Sequence, residues 1–401
     1  MISSSNSHLA ILGGVPTFSE PLHVGRPNIG NREHLMERIN DMLDRRWFTN
    51  NGPYVQEFEQ KLAEYTGVKH AVAMTNATIA QEIVVRAAGI KGEVIIPSFT
   101  FIATAHALQW QEITPVFCDV APRTHHIDPN RVESMITPRT TAIIGVHVWG
   151  APCAIDELTE IAQRRGLHLM FDAAHAIGCS YKGKMLGGFG EAEIVSFHAT
   201  KFLNSFEGGA VLTNDDKLAE RVRFMRNFGF AGIDRVDYVG TNGKMPEVTA
   251  AMGLTSLESV DEIIAINKRN YRAYQAGLGG VEGISLFNYD EAEKNNFQYI
   301  IVEIDEVQAG ISRDLLVKVL HAENVLARRY FYPGCHQMEP YRSYYPHAGL
   351  LLPETEKLTQ RVMSLPNGTA VNEEMIGKIC QIIQQAVEQA EEVKRSLSGN
   401  A

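Results

Sequence analysis

Between residues 70 and 213 the chain alternates short apolar runs with segments whose apolar residues recur at helical spacing. His70 to Thr75, Val94 to Pro97, Pro115 to Asp119, Ala142 to Val148, Leu167 to Asp172, Ala192 to Phe197 and Ala210 to Thr213 read as strands. Runs that stay apolar instead of alternating belong to strands covered on both faces. The pattern therefore predicts an α/β fold with a largely parallel sheet between helices. Upstream, Leu35, Ile39 and Leu43 mark a helix within residues 31–46, and a second helix is expected over Val55 to Tyr65, stopped by Gly67.

Downstream of residue 246 a long helical pattern gives way, near residue 260, to a different alternation: a strand over Gln298 to Ile304 and a helix over Arg313 to His321. The last helix is expected over Asn372 to Arg395, with Met375, Ile379, Ile382, Ala386, Ala390 and Val393 as one packing stripe.

In sheets of this kind ligands gather at the carboxyl ends of the strands. Thr75-Asn76-Ala77-Thr78, Phe99-Thr100-Phe101, Asp172 and Ser196 all follow an expected strand. LHLMFD ends its apolar run at Asp172, and Lys201 lies just past the next run, in SFHATKFLNSFEGG. A buried carboxylate needs a cationic partner, which a protonated pyridine nitrogen supplies, and a lysine at such a place can form a Schiff base with an aldehyde. Together the two residues point to pyridoxal 5′-phosphate (PLP). His175 stands near enough in sequence to touch the ring or its phenolic oxygen. The phosphate calls for amide N–H groups at a helix start and for hydroxyls, which TNATIAQE and Ser196 offer. Phe101 is a candidate to stack on the pyridine.

Net charge changes the picture only by exclusion: at −10, the chain does not suit nonspecific nucleic-acid binding. Five scattered cysteines form no C-x-x-C pair for a metal or for redox exchange. The start MISSSNSHLAILGGVP lacks a basic n-region, and no apolar run nears the ~20 residues of a membrane span, so a cytoplasmic protein is expected.

LMFDAAHAIG, SFHATKFLNSFEGGAVLTND, PSFTFIATAHA and GTNGKMPEVTAAMGL together resemble the DegT/StrS-type sugar aminotransferases, PLP enzymes of fold type I. The similarity runs from the N-terminal LGG through NNGPYVQEFEQ to YFYPGCHQMEPYR. It implies an N-terminal arm (1–30), a large PLP-binding domain (31–260) with a mixed, mostly parallel seven-stranded sheet between helices, and a smaller C-terminal α+β domain (261–401). By the resemblance Lys201 is the catalytic lysine, Asp172 the pyridine partner, His175 a ring contact and Phe101 the stacking residue. Thr78, Ile79 and Ser196 become phosphate contacts, joined in a homodimer by Asn242 of the partner subunit. The phosphate turn reads Asn-Ala-Thr where Gly-Thr is commoner, and Lys244 stands where arginine is frequent. Relatives with histidine in place of the lysine are dehydratases, so Lys201 argues for transamination.

The reaction implied is a ping-pong transfer from L-glutamate to a nucleotide-linked 4-keto-6-deoxyhexose, with dTDP-4-keto-6-deoxyglucose aminated at C4 as the specific expectation. The product would be an amino sugar for surface polysaccharide or a glycosylated metabolite. A 3-keto sugar or cyclitol aminotransferase, and a PLP-binding regulatory protein without turnover, are the alternatives. Tyr332 and His336 are the expected sugar-nucleotide contacts, with Arg328 and Arg329 opposing the diphosphate.

Overall fold

The computed structural model describes residues 8–398; the polar stretches at 1–7 and 399–401 lie outside the described residues. Seven strands form the central sheet: β1 (His70–Met74), β2 (Glu93–Pro97), β3 (Thr114–Cys118), β4 (Thr140–Val146), β5 (His168–Asp172), β6 (Ala192–Ser196) and β7 (Gly209–Thr213). Their order is β1-β7-β6-β5-β4-β2-β3. Only β7 runs against its neighbours, pairing antiparallel with both β1 and β6; the remaining pairs are parallel. The mixed, mostly parallel sheet expected from the uninterrupted apolar runs is thus present, with each strand within two residues of its expected start and end.

Helices cover both faces of the sheet. Helix α1 (Arg32–Arg45) is capped by the Asn31 side chain, which accepts from the Glu33 and His34 amides. Helix α2 (Pro53–Thr66) starts on proline, which has no amide hydrogen to lose, and ends at Gly67 in the left-handed conformation (φ 71°). Helices α3 (Ala77–Ala87) and α4 (Ala103–Gln109) begin just beyond β1 and β2, so both N-termini open on the carboxyl edge of the sheet. Phe58 of α2, fully buried, meets Phe197 edge-on at 5.3 Å. This anchors the segment that follows β6.

The long helical pattern after residue 246 is two helices, Glu247–Glu258 and Val260–Leu278, with Ser259 between them. The second starts in the core of the large sheet, through Val260 and Ile263, and ends in a separate apolar core, through Tyr271, Tyr274 and Leu278. That second core lies on a three-stranded antiparallel sheet of Ile284–Leu286, Ile300–Ile304 and Val362–Leu365, packed by the helices Arg313–Ala322 and Glu373–Glu388. Leu9, Phe18 and Leu22 from the N-terminal segment belong to the same core, and Leu22–His23 pairs in parallel with Val325–Leu326.

The single last helix expected from the stripe is interrupted. Glu373–Glu388 ends at Gln389, whose carbonyl accepts from the Glu392 and Val393 amides and so starts Ala390–Ser398.

Candidate active site

Asp172 ends β5 and is 9% exposed. Its Oδ2 accepts a hydrogen bond from Thr104 Oγ1 at 2.7 Å, and its Oδ1 accepts from the Ala174 amide at 3.1 Å. Thr104 is fully buried, and Thr100 Oγ1 lies 3.0 Å from its hydroxyl oxygen. With the Thr104 proton committed to the carboxylate, the Thr100 hydroxyl is the donor of that pair. Asp172 makes no ion pair among the described residues. One hydroxyl, itself held by Thr100, and one amide orient this carboxylate, and neither neutralises it.

Lys201 sits in the loop between β6 and β7, where its amide donates to the His198 carbonyl and the Phe197 and Ser205 amides close the loop on Gly208 and Phe197. The N-terminal segment holds the loop from outside: Asn28 Nδ2 donates to the Phe202 carbonyl and Asn204 Nδ2 to the Asn28 carbonyl. Lys201 Nζ donates to the Tyr299 hydroxyl at 3.0 Å. Burial lowers the Lys201 pKa to about 8, while the negative charge of Asp172 pulls it the other way.

His175 accepts the Trp149 amide proton at Nδ1, 3.2 Å away, so its own proton resides on Nε2. Burial first, and Lys201 second, hold its pKa well below the usual histidine value, which keeps the ring neutral. Trp149 itself is fully buried with φ 64°, a left-handed conformation that bulky residues rarely adopt. That turn aims its amide at His175.

Of the remaining expected residues, Ser196 ends β6, buried, with its Oγ accepting the His198 amide at 3.4 Å and its proton free to donate. Thr78 is half-buried in the first turn of α3. Phe101, 58% exposed, lies just before the helix that carries Thr104. Asn242 is exposed and bridges Asn227, and the adjoining Gly243 carbonyl accepts from the Thr75 amide.

Ile79 departs from expectation. Its amide is taken by Asn76 Oδ1 at 2.9 Å, because Asn76 is the N-cap of α3. A phosphate here would use the unbonded amides of Ala77 and Thr78. Gly209 leaves them accessible, since a Cβ on it would stand 2.4 Å from the Ala77 nitrogen.

A cleft of about 240 Å³ passes beside this group, lined by His23, Arg26, Thr200, Tyr299, Arg328 and Tyr330 among others. Arg328 lines it, with its guanidinium 5.1 Å from the Tyr330 ring centre. Three expected substrate contacts do not. Arg329 stacks on Tyr332 at 4.4 Å and pairs with Asp314 at 3.2 Å, so both are spent on the helix Arg313–Ala322. His336 is 2% exposed, with Nδ1 on Ser98 Oγ (2.7 Å) and Nε2 on Glu356 Oε1 (2.8 Å). Both ring nitrogens are occupied within the protein, and His336 is a structural residue.

A buried carboxylate without a cation, a buried amine without a carboxylate and open amides at a helix start match what PLP requires: a partner for the pyridinium, a nucleophile for the aldehyde and donors for the phosphate.

Residues 30–384 match the model of the DegT/DnrJ/EryC1/StrS aminotransferase family. The chain belongs to that family. It is a PLP-dependent sugar aminotransferase of fold type I. It is 36% identical over 366 residues to the dTDP-4-amino-4,6-dideoxy-D-glucose transaminase of Escherichia coli, covering 90% of this chain and 97% of that one. GDP-perosamine synthase of Caulobacter vibrioides is 36% identical over 327 residues, 80% of this chain and 86% of its own. Among solved structures, DesI, crystallised in the presence of its TDP-sugar product, superposes with a TM-score of 0.93 at 49% identity, covering 97% of this chain and 98% of that chain. No helix among the described residues is long and apolar enough to cross a membrane.

Sequence reasoning missed Thr104, Tyr299 and Trp149. Thr104 stood inside the quoted PSFTFIATAHA, and a hydroxyl one helical turn after Phe101 was the available signal. Tyr299 had none, because its partner is 98 residues away.

Proposed function

We propose that this aminotransferase takes its amino group from L-glutamate and delivers it to C4 of dTDP-4-keto-6-deoxyglucose, giving a 4-amino-4,6-dideoxy sugar. One observation carries the reading: 36% identity across 97% of a transaminase named for that sugar, joined by the closer likeness to DesI, crystallised with a TDP-sugar product. Such a product suits surface polysaccharide or a glycosylated metabolite, and the reaction belongs in the cytoplasm, where nucleotide sugars are made.

The bound cofactor supplies an electron sink for the carbanion formed when the substrate Cα loses its proton. The chain does the rest. Asp172, held by Thr104, keeps a positive charge favourable at the pyridine nitrogen. Neutral His175 presents Nε2–H as a donor without competing for that charge. Lys201, when released from the cofactor, would take the proton from Cα in one half-reaction and give a proton to C4 of the sugar in the other, and burial, which lowers its pKa, favours the neutral base this needs. Arg328 and the neighbouring Arg26 line the cleft with positive charge suited to a diphosphate.

The working unit is a homodimer in which Asn242 of the partner subunit reaches the phosphate. The segment that carries Asn242 presents Phe228, Phe230, Ile233, Val236 and Val239 to solvent, a run of apolar side chains that a second copy would cover. Residues 31–260 act as the cofactor domain and 261–401 as the small domain, each with its own core, and residues 1–30 as the N-terminal arm, of which Leu9, Phe18 and Leu22 pack in the second core.

Incubating the protein with L-glutamate and the 4-keto substrate and determining the product by NMR tests the reading. An amine on C4 is expected; an amine on C3 from the 3-keto isomer alone would overturn it.

A further inference from the structure

Lys201 Nζ has one polar partner within hydrogen-bond distance among the described residues, the Tyr299 hydroxyl. Tyr299 comes from the second, antiparallel sheet, at the residue before the strand Ile300–Ile304, whereas Lys201 comes from the loop of the large sheet. The tyrosine is held firmly. Its carbonyl accepts from Tyr289 Oη at 2.8 Å, and its ring packs on His175 with centres 4.4 Å apart and on Trp149 at 5.5 Å. Asn296, three residues earlier, donates to the His175 and Ile177 carbonyls and so clamps the approach to this strand onto the loop after β5. The Tyr299 hydroxyl therefore occupies a defined point against the large sheet.

We propose that Tyr299 is a positioning residue for Lys201, holding the amine by one N–H so that it is aimed and ready to exchange a proton whenever it is not bonded to the cofactor. The proposal rests on the reading of Lys201 as the catalytic lysine. A flexible four-carbon side chain in a cavity samples many rotamers, and an acceptor on a rigid ring removes most of that freedom. The same bond favours the ammonium over the amine, because an ammonium is the stronger donor. The groups that face Lys201 are Asp172, which stabilises the ammonium; His175, kept neutral by burial; and Tyr299, whose own ionisation is pushed well above the usual tyrosine value by burial, with Tyr330 adding to it. Arg26 and Arg328 line the cleft beyond the tyrosine. Tyr299 therefore remains a neutral hydroxyl at working pH.

Tyr299→Phe keeps the ring and its packing and removes only the acceptor. Two readouts on the full-length protein separate positioning from packing. Acylation of Lys201 in cofactor-free protein, followed across pH by peptide mass spectrometry, needs neither cofactor nor substrate. Its midpoint is expected to fall by roughly 1 to 2 pH units in the variant, the equivalent of one lost hydrogen bond to a cation. In the holoenzyme, discharge of the visible cofactor band by L-glutamate is expected to slow by about 3- to 10-fold on the alkaline plateau. A variant whose acylation midpoint matches the wild type within about 0.2 unit overturns the proposal. Should wild-type holoenzyme ignore amino donors, the aminotransferase reading fails while the midpoint comparison still decides the role of Tyr299.

Discussion

Thr104 donates its hydroxyl to Asp172 Oδ2 at 2.7 Å, while the backbone of Ala174 serves the other oxygen. One buried threonine on α4 thus fixes the plane of the carboxylate that must meet the pyridine nitrogen. Thr104→Val keeps the shape and strands a buried oxygen. Loss of a hydrogen bond to a buried charged group costs about 1.5–3 kcal/mol, so cofactor dissociation is expected to rise roughly 10- to 100-fold. Thr104→Ser, which restores the hydroxyl, should recover most of it. Equilibrium titration of cofactor fluorescence measures both, and equal affinity for Val and Ser variants would contradict the assignment.

The phosphate end yields a separate expectation. Gly209→Ala puts a methyl 2.4 Å from the Ala77 nitrogen, against backbone that cannot turn aside. The first turn of α3 must then shift. Cofactor retention is expected to weaken, and the cofactor-free protein to lose about 1–3 kcal/mol of stability to the same overpacking; a cofactor affinity equal to the wild type would remove the Ala77 and Thr78 amides from the phosphate site.

Arg328 and Arg329 are neighbours in sequence and differ in placement. Arg328 lines the cleft, whereas Arg329 is engaged with Tyr332 and Asp314. Arg328→Ala should raise the KM for the nucleotide sugar about tenfold or more, as expected when a charge-assisted contact of 1.5–3 kcal/mol is lost. Arg329→Ala should change it little. Steady-state kinetics with the keto sugar as varied substrate reads the contrast, and the reverse ranking would remove Arg328 from the substrate site.

Lys201 gives a pH dependence. Burial lowers its pKa to about 8, so the amine becomes neutral above that value and charged below it. In the cofactor-free protein, acylation of Lys201 should therefore slow as pH falls through about 8 and level off above it, roughly two units below the ~10.4 of a free lysine. Peptide mass spectrometry after labelling across pH measures this; a midpoint near the free-lysine value would show that the amine is solvated.

The layered sheet was legible because each strand is apolar throughout, and Asp172 and Lys201 because charges at the ends of such strands have few bland explanations. Contacts between distant segments were not. His336 sits in an aromatic- and proline-rich stretch that looked like a substrate loop, and only the fold shows Ser98 and Glu356 taking both of its nitrogens. The capping of Ile79 by Asn76 depends on a backbone geometry (φ −166°, ψ 170°) that sequence does not state. Ser259 and Gln389 break helices whose apolar stripes continue across them, so periodicity alone ran through both.

The most direct test is the absorption spectrum of the purified protein during turnover. A visible cofactor band that L-glutamate discharges and dTDP-4-keto-6-deoxyglucose restores, and that Lys201→Ala abolishes, is the expected result. A band indifferent to amino donors, or one that survives loss of Lys201, would contradict the account at its centre.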